Sequence, residues 1–113
     1  MAIQNLNTLV ESLARCIHGC ERCATGCLNE ADTPLVRTCI ATALDCADAC
    51  SLTLKLISRE SKHWNHLLQL CVHICKDCEK ECGKHSLEYC RECAEICHYC
   101  AETCEQYMTV VVL

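Results

Sequence analysis

The sequence predicts an all-α fold, an up-down-up-down antiparallel four-helix bundle with a cysteine-lined core, on three observations. Apolar and cysteine residues recur at alternating gaps of three and four along most of the chain, the period of a helix face turned toward a bundle core. Short polar breaks divide the 113 residues into four segments. Those breaks are too short for parallel crossovers, so consecutive helices run antiparallel and pair as neighbours.

The four helices are predicted over residues 3–28, 34–57, 62–82 and 87–109. The first seam reads Leu6, Leu9, Leu13, Cys16, Cys20, Cys23, Cys27. After the polar stretch Asn29-Glu30-Ala31-Asp32, Thr33 offers an N-cap and Pro34 fills the first helical position, where its missing N–H costs nothing. The second seam is Val36, Cys39, Ala43, Cys46, Cys50, Thr53, Ile57. The run Ser58-Arg59-Glu60-Ser61-Lys62 ends it and offers Ser61 as the next cap. Trp64, Leu68, Cys71, Cys75, Cys78 and Cys82 form the third seam, with Gly83 expected as the left-handed residue that closes the helix. Ser86 is expected to cap the fourth, whose seam is Cys90, Cys93, Cys97, Cys100, Cys104, Tyr107, Val111. All sixteen cysteines lie on these seams.

The antiparallel order places them in one half of the bundle. They occupy the C-terminal halves of the first and third helices and the N-terminal portions of the second and fourth, which meet at the end carrying loops 28–33 and 83–86. The opposite end collects Leu6, Leu9, Leu13, Ile57, Trp64, Leu68, Tyr107 and Val111 as an apolar plug. At about 1.5 Å per residue, the span from Cys16 to Cys27 makes a thiol column roughly 16 Å long.

Composition bounds the rest. A chain of this length with one proline and three glycines is read as one domain, residues 1–113. The N-terminal stretch MAIQNLNTLVESLARC has no basic first segment, no apolar run and no small-residue cleavage site, so a secretory signal is not expected and a cytoplasmic location is. No apolar stretch approaches the roughly 18–20 residues of a membrane span. A net charge of −5, with Lys and Arg interleaved among Asp and Glu, argues against a nucleic-acid partner. With no Phe, one Trp and three Tyr, the core must be filled by Leu, Ile, Val, Ala and Cys.

Four uses of the cysteines are open. As small hydrophobes they would pack well, but Ala, Val and Leu would serve without the risk of oxidation, and nearly every seam position is taken, Ala43 and Ser86 being the gaps. Disulfides within a helix are strained, because Cβ atoms at i and i+4 stand about 5–6 Å apart where a relaxed bridge wants about 3.5–4.5 Å. Bridges between helices are opposed by a reducing compartment. Dithiol catalysis would use the CxxC pairs 20/23, 75/78, 90/93 and 97/100, but these lie inside long helical seams rather than at helix N-termini, so no enzymatic role is expected.

Metal binding remains, and thiolates suit Cu(I), Zn²⁺ and iron–sulfur clusters. Sixteen buried thiolates would carry a charge that the core cannot tolerate uncompensated. Four tetrahedral zinc sites would leave about eight negative charges behind. Monovalent ions on shared, two-coordinate thiolates can approach one ion per cysteine and a neutral core. Spacing and charge therefore point to many Cu(I) ions per chain, with a zinc or cadmium thiolate sink, or a redox or structural disulfide protein, as the alternatives.

The stretches CADACSLTLKLI (46–57), CEKECGKH (78–85) and CRECAEICHYCAETC (90–104) resemble those of the cytosolic copper storage proteins, a Cys-rich four-helix-bundle family. The resemblance implies Cu(I) held on core thiolates, commonly in a homotetramer of bundles. Carried over, the ligands are Cys16, Cys20, Cys23, Cys27, Cys39, Cys46, Cys50, Cys71, Cys75, Cys78, Cys82, Cys90, Cys93, Cys97, Cys100 and Cys104, with CxxxC pairs 16/20, 23/27, 46/50, 71/75, 78/82, 93/97 and 100/104. Where some members continue the column, this chain has Leu9, Leu13 and Leu68, which implies a lower capacity. His85, in the loop at the thiol end, is placed to receive an arriving ion. His18, His73 and His98 fall between seam positions and are expected to face outward, as are His63 and His66. Met108 is expected in the core, and Glu30 and Asp32 in capping or solvated roles.

Overall fold

A computed structural model describes residues 5–111, without the side chains of residues 109 to 111. Four helices form: α1 (Asn7–Cys27), α2 (Pro34–Ser58), α3 (Trp64–Cys82) and α4 (Glu88–Val111). Each backbone packs against its two neighbours in the order α1, α2, α3, α4 and back to α1, and among the described residues the diagonal helices meet only through side chains on the axis, as Cys23 does with Cys82 and Cys46 with Cys97. The molecule measures 51 × 21 × 19 Å. This is the predicted up-down-up-down bundle.

The helix ends follow the predicted chemistry in part. Thr33 has an extended backbone (φ −119°, ψ 159°), Pro34 stands at the first helical position, and the Thr33 hydroxyl accepts from Val36 N at 3.2 Å. Among the described residues α1 begins at Asn7, preceded by Leu6, which offers no side-chain bond. The expected start at residues 3 and 4 lies outside the described residues. Tightened i→i+3 bonds close α1, from Leu28, Asn29 and Glu30 N–H to Thr25, Gly26 and Cys27 O.

Three expectations about caps are corrected. Gly83 is not left-handed: its φ is −65° and ψ −14°. The tail of α3 tightens instead, with Lys84 and His85 N–H donating to Glu81 and Cys82 O at 3.2 and 3.1 Å. Glycine matters there for room, because a Cβ would stand 2.9 Å from Glu79 O. The left-handed residue is Glu60 (φ 55°) at the end of α2, where Ser61 N–H donates back to Leu56 O at 2.9 Å in the six-residue closure of a helix C-terminus. Ser61 is thereby tied to α2, and α3 starts two residues later than predicted. The Ser61 hydroxyl accepts from His63 N at 3.1 Å instead of capping the helix, and His63 takes the cap position without a side-chain bond. Ser86 stands one residue short of the cap of α4, where Leu87 O accepts from Arg91 N at 3.0 Å.

The core divides as the seams require. All sixteen cysteines are buried, none more than 1% exposed. Leu9, Leu13 and Leu68 are fully buried at the far end, with Ile57 beside them and Leu6, Trp64, Tyr107 and Met108 partly buried against the same cluster. Val111 lies in α4, but its side chain falls outside the described set. Thr53 sits where thiols give way to leucines and is fully buried. It donates to Ala49 O at 2.8 Å, so its hydroxyl is satisfied within its own helix. At the thiol end α1 and α4 are drawn together over Gly26: a Cβ there would meet the Tyr89 ring at 2.8 Å, and the Tyr89 hydroxyl lies 2.9 Å from Gly26 O and 2.8 Å from a Glu30 carboxylate oxygen.

Glu60 carries a steric cost that glycine would not, since a left-handed backbone crowds an L side chain by roughly 1–2 kcal/mol. Glu60→Gly is expected to raise the stability of the apo protein by about 0.5–1 kcal/mol in urea denaturation under reducing conditions, part of the relief being offset by glycine's greater freedom when unfolded. An unchanged or lowered midpoint would show that the exposed Glu60 side chain supplies compensating contacts.

Candidate metal centre

Antiparallel helices with a three-four cysteine period turn one column of sulfurs per helix toward a common axis. The column begins at the loop end with Cys27, Cys39, Cys82 and Cys90. Cys39 lies 3.6 Å from Cys82 and 3.9 Å from Cys27, and Cys27 lies 3.7 Å from Cys90. Cys23 joins this group at 3.7 Å from both Cys82 and Cys90. Deeper in, Cys20 approaches Cys97 at 3.7 Å and Cys93 at 3.8 Å, and Cys78 approaches Cys93 at 3.9 Å. Below that, Cys46 bridges α1, α3 and α4, at 3.7 Å from Cys16, 3.6 Å from Cys75 and 3.9 Å from Cys97.

These separations suit metal without rearrangement. At a metal–sulfur bond of about 2.3 Å, a shared ion spans sulfurs about 3.8 Å apart in a tetrahedron and about 4.6 Å apart when linear. Five sets of thiols have all their sulfurs within 4.8 Å of one another: 16/46/50/75, 16/20/46/97, 20/78/93/97, 23/27/39/90 and the trio 23/82/93. Neighbouring sets share members, so an ion held in one would be joined through a common sulfur to an ion in the next. The CxxxC pairs 16/20, 78/82 and 93/97 come to 4.0, 3.8 and 4.0 Å.

Of the residues predicted as ligands, Cys71, Cys100 and Cys104 stand outside these sets. They line the blind end, where Cys71 turns to Thr53 Oγ1 at 3.0 Å and Ala49 O at 3.5 Å. Thr53 is the site residue that motif reading missed, since it follows Cys50 at seam spacing but carries no metal-binding signature. The histidines divide as expected: His18, His63, His66, His73 and His98 are exposed, and His85 alone is partly buried. Its Nε2 is buried without a hydrogen-bond partner, and its charge bears on Cys39 at the open end. Glu30 is held by Tyr89, and Asp32 pairs with Arg37 at 3.5 Å.

Electrostatics decide what the column can hold. Thr53 is the sole buried polar side chain among the described residues, so no Lys or Arg offsets charge on the sulfurs. Hydrogen bonds between thiols divide the group. Bonds from Cys23 and then Cys82 hold Cys39 well below the free-thiol value, and Cys23 and Cys82 rise in exchange through their bonds with Cys39 and Cys23 respectively. At the open end Cys27 and Cys90 rise chiefly through burial. Loss of water opposes ionisation at every position. Thiols such as Cys39, Cys46, Cys93 and Cys100 are lowered by bonds from neighbours that rise in exchange, so the apo column keeps most but not all of its protons, and a bound cation must displace those protons as it enters.

Fold and site together define a class: a four-helix bundle that holds metal ions on a continuous core of thiols. Residues 2–109 match the family described as copper storage protein, Csp. The chain belongs to the copper storage protein family. A curated relative, the uncharacterized cysteine-rich protein YhjQ of Bacillus subtilis (strain 168), is 37% identical over 85 residues, which are 75% of this chain and 79% of that protein. The Cu(I)-bound copper storage protein BsCsp3 is 35% identical and superposes with a TM-score of 0.86 over 91% of this chain and 97% of its own. A cytosolic copper storage protein from Streptomyces lividans, solved with five coppers, is 34% identical with a TM-score of 0.84 over 89% of each chain. No helix among the described residues is long and apolar enough to cross a membrane.

The protonated apo column fixes the sign of a pH dependence. A free thiol ionises at 9.0, whereas burial holds thiols such as Cys27 and Cys90 above that value. Above pH 9 the unfolded chain has released protons that the folded chain keeps, so stability must fall as pH rises. Apo protein is expected to lose stability progressively from about pH 9 upward in denaturant titrations, while copper-loaded protein, whose sulfurs are already deprotonated and neutralised, shows little slope. Equal slopes for the two forms would contradict a protonated column.

Proposed function

We propose that this chain stores many Cu(I) ions on the thiolates of all sixteen cysteines, as a single non-enzymatic domain in the cytoplasm. The observation that carries this reading is the closed, cation-free sulfur column. A column with no counter-charge favours a monovalent ion that replaces one proton per sulfur, and shared sets let each sulfur serve two ions. Family membership and two copper-bearing structural neighbours support the same reading. His85, whose Nε2 is buried without a partner and whose charge bears on Cys39, is the residue that receives ions at the open end. Exposed Leu28, Leu35, Leu44, Leu52, Leu70 and Tyr99 provide apolar outer positions on which bundles can associate, and the expected assembly is a homotetramer.

Anaerobic titration of reduced apo protein with Cu(I), in competition with a strong chelator, tests the function. Binding is expected to saturate near sixteen ions per chain, one per cysteine. Saturation at about four, or tighter binding of Zn²⁺ than of Cu(I), would return the reading to a zinc or cadmium sink. A small thiol count on freshly isolated protein would favour the disulfide alternative.

His85→Ala separates admission from storage. Stopped-flow loading is expected to slow several-fold, with the final number of ions unchanged. A reduced capacity would make His85 a storage ligand, and an unchanged rate would remove it from the site.

A further inference from the structure

The sulfur sets overlap, yet three of them share no member: 23/27/39/90 at the open end, 20/78/93/97 in the middle and 16/46/50/75 below. Each contains four thiols from three helices, with every sulfur within 4.8 Å of the other three, and nearest contacts such as Cys27–Cys90 at 3.7 Å, Cys46–Cys75 at 3.6 Å and Cys93–Cys97 at 4.0 Å match the edge of a tetrahedron around a zinc-sized ion. A column built only for bridged, two-coordinate ions would not need such separable groups of four. The geometry points to a second class of cargo: we infer that the apo bundle takes up three divalent, zinc-class ions, each in one of these four-thiol sites. The inference rests on the reading of the core thiols as ligands but not on copper being the physiological ion.

The number three follows from what is left over. Cys71, Cys82, Cys100 and Cys104 remain after the three sites are filled, and they cannot make a fourth. Cys82 lies against Cys23 and Cys39 at the open end, whereas Cys71 lies against Thr53 at the blind end. Eleven residues on one helix separate Cys71 from Cys82, about 16 Å. Each site forms by M²⁺ displacing four thiol protons, M²⁺ + 4 RSH → [M(SR)₄]²⁻ + 4 H⁺, with no redox change. Two negative charges per site then stay buried without a counter-cation, so the divalent form is exchangeable, and Cu(I), which neutralises each sulfur, displaces it.

Co²⁺ alone, added anaerobically to the reduced full-length apo protein, is the probe, because tetrahedral cobalt thiolate has characteristic visible bands. Titration is expected to saturate at three ions per chain with about four protons released per ion, and added Cu(I) is expected to discharge the bands. Cys46→Ala removes only the lowest site and should leave two ions. Cys27→Ala removes only the site at the open end and does the same if the first variant folds poorly, as circular dichroism would show. Cys104→Ala lies outside all three sites and should leave three. Absent tetrahedral bands, saturation at four, or an equal loss in the Cys46 and Cys104 variants would overturn the inference. A Cu(I) titration of the same samples that still reaches one ion per cysteine would show that the failure is confined to the divalent sites.

Discussion

The structure depends on one constraint: charge placed on its buried sulfurs has nothing within the protein to balance it. Sixteen thiols face one another across the axis, and no Lys or Arg among the described residues is buried with them. An empty column must keep most of its protons, and in that state it packs as a core of small hydrophobes. A loaded column must receive about one positive charge for each proton it gives up. Storage capacity, preference for a monovalent ion and stability of the empty bundle all follow from this balance.

The two ends of the bundle set the limits of the column. At the blind end Thr53 takes up Cys71 by hydrogen bonding, and beyond it Leu9, Leu13 and Leu68 close the axis to water and to ions. At the other end the column stops beneath a pair of short loops, where the charge of His85 bears on Cys39 and Tyr89 packs over Gly26 to hold α4 against α1. Surface ion pairs such as Lys76 with Glu105 fasten neighbouring helices but are exposed and contribute little, of the order of 0–1 kcal/mol each. The bundle is held by its seams rather than by its surface.

The seams were legible in the sequence because a three-four period has one structural meaning over twenty residues. Every cysteine assigned to the axis is on it. The grouping of the cysteines was not legible. Spacing along one helix draws the eye to CxxxC pairs, yet the shortest sulfur contacts, Cys39 with Cys82 and Cys46 with Cys75, cross between helices. Such contacts depend on the relative height of antiparallel helices, which no single segment encodes. The caps show the same division. Thr33-Pro34 is a local signal and held, whereas Gly83 reads as a left-handed terminator and instead makes room beside Glu79 O, and the left-handed turn falls on Glu60, which carries no such signal.

Charge balance is open to direct measurement. In a pH-stat titration of the reduced apo protein with Cu(I), each ion should release close to one proton from the first addition to the last, leaving the net charge of the loaded protein equal to that of the apo form. Release of two protons per ion, with loading complete at about half the number of cysteines, would mean terminal pairs of thiolates and a strongly negative core, and would contradict the account.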